Sequence, residues 1–253
     1  MQTLRFLLLL GLIVSSTRFA CAGWVLQEST PRSAPEGLLF TERHVNGDHS
    51  EVTLWVVAFE PKAHTFAIMD NPDGVFDLGT AAEKRGALAA VNGGYFQPDH
   101  APLGLLVRQG VEIHPLEHAK LLSGVLSVSP AGITLQRTGA FKASAAMREA
   151  LQAGPFLVER GRPISGLEAT RSAARTVVFQ DTKGRAGFLI AKSATLAEMA
   201  EILVAVDVFP EGKVVRALNL DGGTSTALWV RGSPPFYARE WKGVRDYLAI
   251  VPK

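Results

Sequence analysis

The feature that most restricts the fold is a recurring alternation of short β-branched or aromatic runs with tight-turn residues. Residues 104–108 and 111–113 flank Gln109-Gly110. Residues 125–128 and 133–136 flank Ser129-Pro130-Ala131-Gly132, and residues 176–180 and 187–191 flank Thr182-Lys183-Gly184. Each is the pattern of two strands joined by a hairpin, since glycine supplies the backbone freedom of a short turn and branched side chains favour extended backbone. Residues 52–59 and 65–69, on either side of Pro61-Lys62-Ala63, read as a further hairpin. Runs at 88–91, 214–220, 227–230 and 247–251 complete the strands.

Helices are fewer. Thr195 and Glu198 form a capping box, which satisfies free N–H groups at a helix start. Leu196, Met199, Ile202, Leu203 and Val206 then recur on one helical face, predicting a helix over 195–206. Shorter helices are expected over 79–85 and 143–151. The set predicts an α+β fold: one domain with a strongly twisted mixed or antiparallel sheet and a few packed helices. The regular strand–helix alternation of a doubly wound sheet is missing.

The N-terminus reads as a cleavable signal peptide over residues 1–22. Arg5 gives a positive start, an apolar stretch follows over 6–14, and Ala20-Cys21-Ala22 is a small-x-small cleavage site. The stretch is short for a membrane span, so a retained anchor fits less well. Lipidation at Cys21 also fits poorly, because Arg18 and Phe19 stand where a lipobox has Leu and a small residue. The protein is therefore expected to be periplasmic or secreted, with no stable membrane anchor after cleavage. Residues 23–40, polar over 27–37 with Pro31 and Pro35, are expected to lead loosely into a domain over 41–253.

Cleavage changes the charge. The whole chain has 26 Lys and Arg against 24 Asp and Glu, and the signal holds two of the arginines and no acid. An even balance argues against a nucleic-acid partner, which needs surplus cations to displace counterions. The sole cysteine, Cys21, leaves with the signal, so no disulfide and no thiol chemistry are expected. The six histidines show no zinc-type spacing, and no metal or cofactor is expected. Asp70, Asp73 and Asp77, with Asn71 and Gly74, are read as a solvated acidic turn in preference to a calcium loop.

Three segments carry candidate chemistry. Ala90-Val91-Asn92-Gly93-Gly94-Tyr95-Phe96 closes an apolar strand with a glycine pair. Gln152-Ala153-Gly154-Pro155 precedes another apolar run. Ala217-Leu218-Asn219-Leu220-Asp221-Gly222-Gly223-Thr224-Ser225-Thr226 delivers a carboxylate, a second glycine pair and three hydroxyls. Each alone is compatible with a plain turn. Two glycine pairs, each directly after an apolar strand, point instead to a site, because successive N–H groups in such turns bind anions.

Together with Arg175-Thr176, and with Arg245 before the apolar run 247–251, these segments resemble the phosphodiester glycosidase family of the uncovering-enzyme type. The resemblance runs from about Val91 to the C-terminus. It implies an exported hydrolase that cleaves the bond between a sugar's anomeric carbon and a phosphodiester, with a glycan or sugar-phosphate as substrate. On that reading Asp221 is the nucleophile or the base that activates water. Gly222, Gly223, Thr224 and Ser225 cradle phosphate oxygens, and Arg175 pairs with the phosphate or, structurally, with Asp221. Asn92 and Gln152 bond the sugar or orient the carboxylate. Tyr95 stacks on the sugar or belongs to the core, and Gly93, Gly94 and Gly154 line the substrate. A phosphate leaves far more readily than an alkoxide, so such a site needs anion stabilisation more than a strong acid. Two other readings remain: a non-catalytic module binding envelope glycans in the same cleft, and nucleotide phosphotransfer through the Asp221-Gly222-Gly223-Thr224 loop.

Overall fold

The computed structural model describes residues 23–48, 50–207 and 212–253. The expected signal peptide with Cys21, and His49, lie outside the described residues. Every strand pairing among them is antiparallel, and the strands form three sheets around one principal core. The fold is α+β, with two α-helices among the described residues, α1 (Leu78–Arg85) and α2 (Leu196–Ala205). Neither helix is long and apolar enough to cross a membrane.

The first sheet has eight strands. Its order is Val25–Arg32, Leu38–Asn46, Glu51–Phe59, Ala186–Ala194, Ala173–Asp181, Val214–Asn219, Phe156–Glu159, Arg162–Pro163. The Glu51–Phe59 strand shows why this sheet has two covered faces. Val57 and Phe59 enter the principal core, whereas Leu54, Val56 and Ala58 pack under α2 against Met199, Ile202 and Leu203. Burying each of those larger side chains contributes about 1.5–3 kcal/mol. Helix α2 starts at the expected capping box: Thr195 Oγ1 accepts the Glu198 N–H, and Glu198 accepts the Thr195 N–H.

The second sheet has five strands in the order Val111–His114, Leu106–Arg108, Glu149–Ala153, Gly124–Ser129, Gly132–Arg137. The third is ordered Phe236–Ala238, Leu228–Val230, Ala89–Asn92, Asp246–Pro252, His64–Asp70. Helix α1 covers its outer face, with Leu78 and Ala82 against Ala90, Trp229 and Tyr247.

Three expected hairpins are present, at 106–114, 124–137 and 173–194. The one expected at 52–69 is not. Glu51–Phe59 is flanked by Leu38–Asn46 and Ala186–Ala194, and His64–Asp70 pairs with Asp246–Pro252. The Pro61-Lys62-Ala63 turn therefore hands the chain from one sheet to another. The helix expected at 143–151 is also absent. Residues Glu149–Ala153 form a strand between two neighbours, and all five side chains are buried, so tertiary burial overrides their helix propensity. Residues Val25–Arg32 are not a loose lead-in but an edge strand, paired along its length with Leu38–Asn46.

Candidate active site

The site forms where strands of different sheets end side by side. Ala89–Asn92, in the third sheet, turns at Gly93-Gly94. Val214–Asn219, in the first, runs out at Leu220-Asp221-Gly222. The Asp221 N–H donates to the Gly93 carbonyl at 3.1 Å, and the Asn92 side-chain amide donates to the Asp221 carbonyl at 2.8 Å. The Leu220 N–H donates to the Thr176 carbonyl at 2.8 Å. Asn219 closes the ring: its side-chain amide donates to the Tyr95 hydroxyl at 3.0 Å and to the Gly154 carbonyl at 3.1 Å, and Tyr95 itself donates to that carbonyl at 2.5 Å. The three candidate segments, with Thr176, thus meet in one hydrogen-bonded node.

Asp221 presents its carboxylate at this node. Burial raises its pKa above the usual carboxylate range. The Ser225 hydroxyl, the Gly222 N–H at 2.8 Å and the positive charge of Lys242 oppose that rise. The following residues, Gly223–Ser225, make a 3-10 turn in which Thr224 is exposed and Ser225 buried. The arrangement is a carboxylate held by donors beside a partly open, glycine-rich turn, suited to attack on an electrophilic carbon next to an anionic leaving group.

The other expected site residues have different positions. Asn92 is fully buried, and its oxygen accepts the Thr176 hydroxyl at 2.6 Å and the Ala227 N–H at 3.2 Å. Its amide holds the Asp221 backbone, and both its polar atoms are engaged by protein groups. Gln152 is also fully buried. Its oxygen accepts the N–H groups of Leu105 and Glu117, and its amide donates to the Glu117 and Leu122 carbonyls. It ties down the 115–123 segment and has no contact with Asp221. Gly93, Gly94 and Gly154 are buried too, and each packs closely against a neighbouring segment of the node. Tyr95 braces Gly154 and Asn219 with its hydroxyl, and burial pushes its phenol pKa upward, keeping it protonated. Arg175 makes no ion pair with Asp221. Its Nε donates to the Ala194 carbonyl at 2.8 Å and one Nη to the Arg171 carbonyl at 2.7 Å, with Glu168 at 3.9 Å.

Two residues at the node carried no sequence motif. Asp246 opens the closing strand and is almost fully buried. Its Oδ1 accepts the Gly94 N–H at 3.1 Å, its backbone carbonyl accepts the Gly93 N–H at 2.9 Å, and Oδ2 has no hydrogen-bond partner. Burial raises its pKa to about 6, with the Asp70 and Asp221 charges adding to the rise and Arg245 opposing it. The one signal available was a charged residue heading an otherwise apolar run. Lys242 is the second, and it lies in a loop without periodicity.

Among the described residues no three His, Cys, Asp or Glu side chains converge to hold a metal. The acidic turn is otherwise engaged: Asp70 pairs with Arg245 at 2.7 Å, and Asp77 caps α1 by accepting the Thr80 N–H.

Residues 85–251 match the family model for phosphodiester glycosidase. The zebrafish N-acetylglucosamine-1-phosphodiester alpha-N-acetylglucosaminidase catalytic domain, auto-inhibited by its pro-peptide, superposes with a TM-score of 0.65 at 16% identity, covering 91% of this chain and 88% of that one. A hypothetical protein from Synechocystis gives a TM-score of 0.63 at 16% identity, covering 91% and 68%. A Burkholderia pseudomallei protein named for export gives 0.53 at 13% identity, covering 83% and 74%. An uncharacterized Escherichia coli K12 protein, YigE, is 32% identical over 115 residues, 42% of this chain and 45% of that protein, so the chain spans less than half the length of that relative. The structural likenesses establish a shared fold. The family match covers all the segments that build the node, from Asn92 to Asp246, and by it this chain belongs to the phosphodiester glycosidase family.

Proposed function

We propose that the protein is an exported hydrolase that cleaves a glycosyl phosphodiester, with Asp221 as its reactive carboxylate. The observation that carries this reading is the setting of Asp221: a half-buried carboxylate beside a glycine turn, pinned through its backbone by Gly93 and Asn92. In the reaction the bond from the anomeric carbon to the phosphate oxygen breaks, and its electron pair leaves on the phosphate. The hydroxyl of water ends on the anomeric carbon. Asp221 acts as the nucleophile or takes the water's proton, and a phosphate leaving group spares the site a strong general acid. The Gly222 N–H holds the Asp221 carboxylate and the Ser225 N–H the Gly222 carbonyl, so the backbone donors for the developing charge are those of Gly223 and Thr224. Export rests on the 1–22 signal pattern, and the fold shared with a protein named for export agrees with it.

The test is hydrolysis of N-acetylglucosamine 1-phosphodiesters followed by release of free sugar. Asp221→Asn keeps the size of the side chain and the Oδ1 acceptor for Gly222, so the fold should persist. Turnover should fall by about 10³-fold or more, equivalent to about 4 kcal/mol of transition-state stabilisation. Undiminished turnover would remove Asp221 from the mechanism. Binding without sugar release by the wild type would replace the enzyme with a glycan-binding module.

A further inference from the structure

The loop between the Phe236–Ala238 and Asp246–Pro252 strands is fixed at both ends. Glu240 is buried: one oxygen accepts the Leu78 N–H at 2.6 Å and the Tyr247 hydroxyl at 3.0 Å, and the other accepts the Tyr237 hydroxyl at 3.0 Å. At the far end Gly243 packs so closely that a Cβ would run into the Gly74 carbonyl. Between these anchors stand Trp241 and Lys242, both exposed.

Their placement is not that of ordinary surface residues. Trp241 is 89% exposed, the most of any large hydrophobic side chain among the described residues. An indole so presented leaves a large apolar face in water with nothing packed on it. Yet its backbone is tied to the site, the Trp241 N–H donating to the Thr224 carbonyl at 2.9 Å. The Lys242 ammonium lies 5.1 Å from the centre of the Phe96 ring, at the end of the Gly93-Gly94 turn. Its charge also reaches Asp221, where it favours the ionised carboxylate. Lys242 is therefore beside Phe96, which follows the first glycine turn, and within electrostatic reach of Asp221, which precedes the second. Arg175, by contrast, has given Nε and one Nη to backbone carbonyls. Beside Trp241 and Lys242 runs a groove of about 290 Å³, walled by residues 74–77 and 239–243. Val75 and Phe76 line it with apolar surface, and Asp77 with Arg239, 3.4 Å apart, supply polar groups.

We propose that Trp241 and Lys242 are the specificity-determining arm of this site. Lys242 pairs with the anionic oxygen of the phosphodiester, and Trp241 stacks on a ring attached beyond the phosphate, over the groove. A sugar ring suits this groove: its C–H face packs on the indole and its hydroxyls meet Asp77 and Arg239. Lys242 supplies a compact charge that can follow the phosphate as the bond breaks. This inference rests on the glycosyl-phosphodiester reading of Asp221.

The experiment uses two probes, N-acetylglucosamine 1-phosphate esterified either with methanol or with the 6-hydroxyl of methyl glucoside. On the glucoside probe Trp241→Ala should lose tenfold or more in kcat/KM, mainly through KM, and Trp241→Phe should recover most of it. On the methyl probe Trp241→Ala should change less than twofold. Lys242→Ala should lose tenfold or more on both probes, and Lys242→Arg should recover most of that. Equal effects of Trp241→Ala on the two probes, or an unchanged KM in Lys242→Ala, overturn the proposal and leave the hydrolytic reading standing. A second arm titrates both probes into Asp221→Asn and follows tryptophan fluorescence. If the wild type hydrolyses neither probe, the hydrolytic reading fails on its own. The arm is then upheld by a saturable signal with the glucoside probe that Trp241→Phe abolishes, and overturned if that signal is absent or survives Trp241→Phe.

Discussion

The two glycine pairs look alike in the sequence, each following an apolar strand, and they do opposite things. Gly93 and Gly94 are buried. A Cβ on Gly93 would collide with the Asp246 carboxylate, and one on Gly94 would meet Leu151 at 3.0 Å. Both N–H groups are spent on Asp246. Gly222 and Gly223 are partly exposed. Gly222 is close to the Ala174 carbonyl, but Gly223 has open space where a Cβ would go and needs glycine only for its φ of +62°. One pair is glycine because another strand occupies the space, the other partly because the backbone turns the wrong way for an L-residue. The first builds a buried platform, and the second lies partly open at its edge.

The largest break in this comparison should come from Gly93→Ala. The new methyl would displace Asp246 or part the Gly93–Asp221 hydrogen bond, and neither can move without disturbing a sheet. A loss of about 3–5 kcal/mol, read as a lower urea midpoint, is expected for overpacking combined with a broken buried network. A variant as stable as the wild type would mean that Gly93 is not held by close approach.

Next in size is the carboxylate that fills that space. In the unfolded chain Asp246 should titrate near the ordinary value of about 3.9. In the folded chain burial raises it to about 6, so the native state binds the extra proton. The contribution of this group is then complete below the unfolded pKa and is lost as pH rises through the folded one. Asp246→Asn keeps an Oδ1 acceptor for the Gly94 N–H and does not titrate. The stability difference should therefore move toward the variant by roughly 2 kcal/mol between about pH 4 and about pH 7. Urea unfolding of both proteins across that range measures it. A difference independent of pH would show that Asp246 titrates alike in the folded and unfolded chains.

These contrasts also explain what could be read in advance. Hairpins such as 124–137 were legible because both strands and the turn lie within one short window. The partners of 51–59 and 64–70 lie far along the chain, so local turn chemistry suggested a pairing that topology refuses. Residues 149–153 carry helix-forming side chains, and their strand state comes only from neighbours on both sides. In the site, the motifs identified the converging segments and Asp221. They could not tell an amide that faces a ligand from one that holds backbone, and Asn92 and Gln152 are both of the second kind. Asp246, Trp241 and Lys242 have no turn or periodic signature. They come near the candidate site through contacts between segments distant in sequence (a carboxylate on Gly94, a backbone bond to Thr224, a cation beside Phe96), which a local pattern does not record.

The smallest effect sharpens the comparison most. Gly223→Ala meets no steric obstacle, so its cost should be the left-handed backbone alone, about 1–2 kcal/mol. Asn tolerates that conformation better than Ala, because its short amide can bond locally. Gly223→Asn should therefore be more stable than Gly223→Ala despite its larger side chain. Thermal unfolding of the two variants gives the order. The reverse order would mean that space limits Gly223 as it limits Gly93, and the division between a packed turn and an open turn would no longer hold.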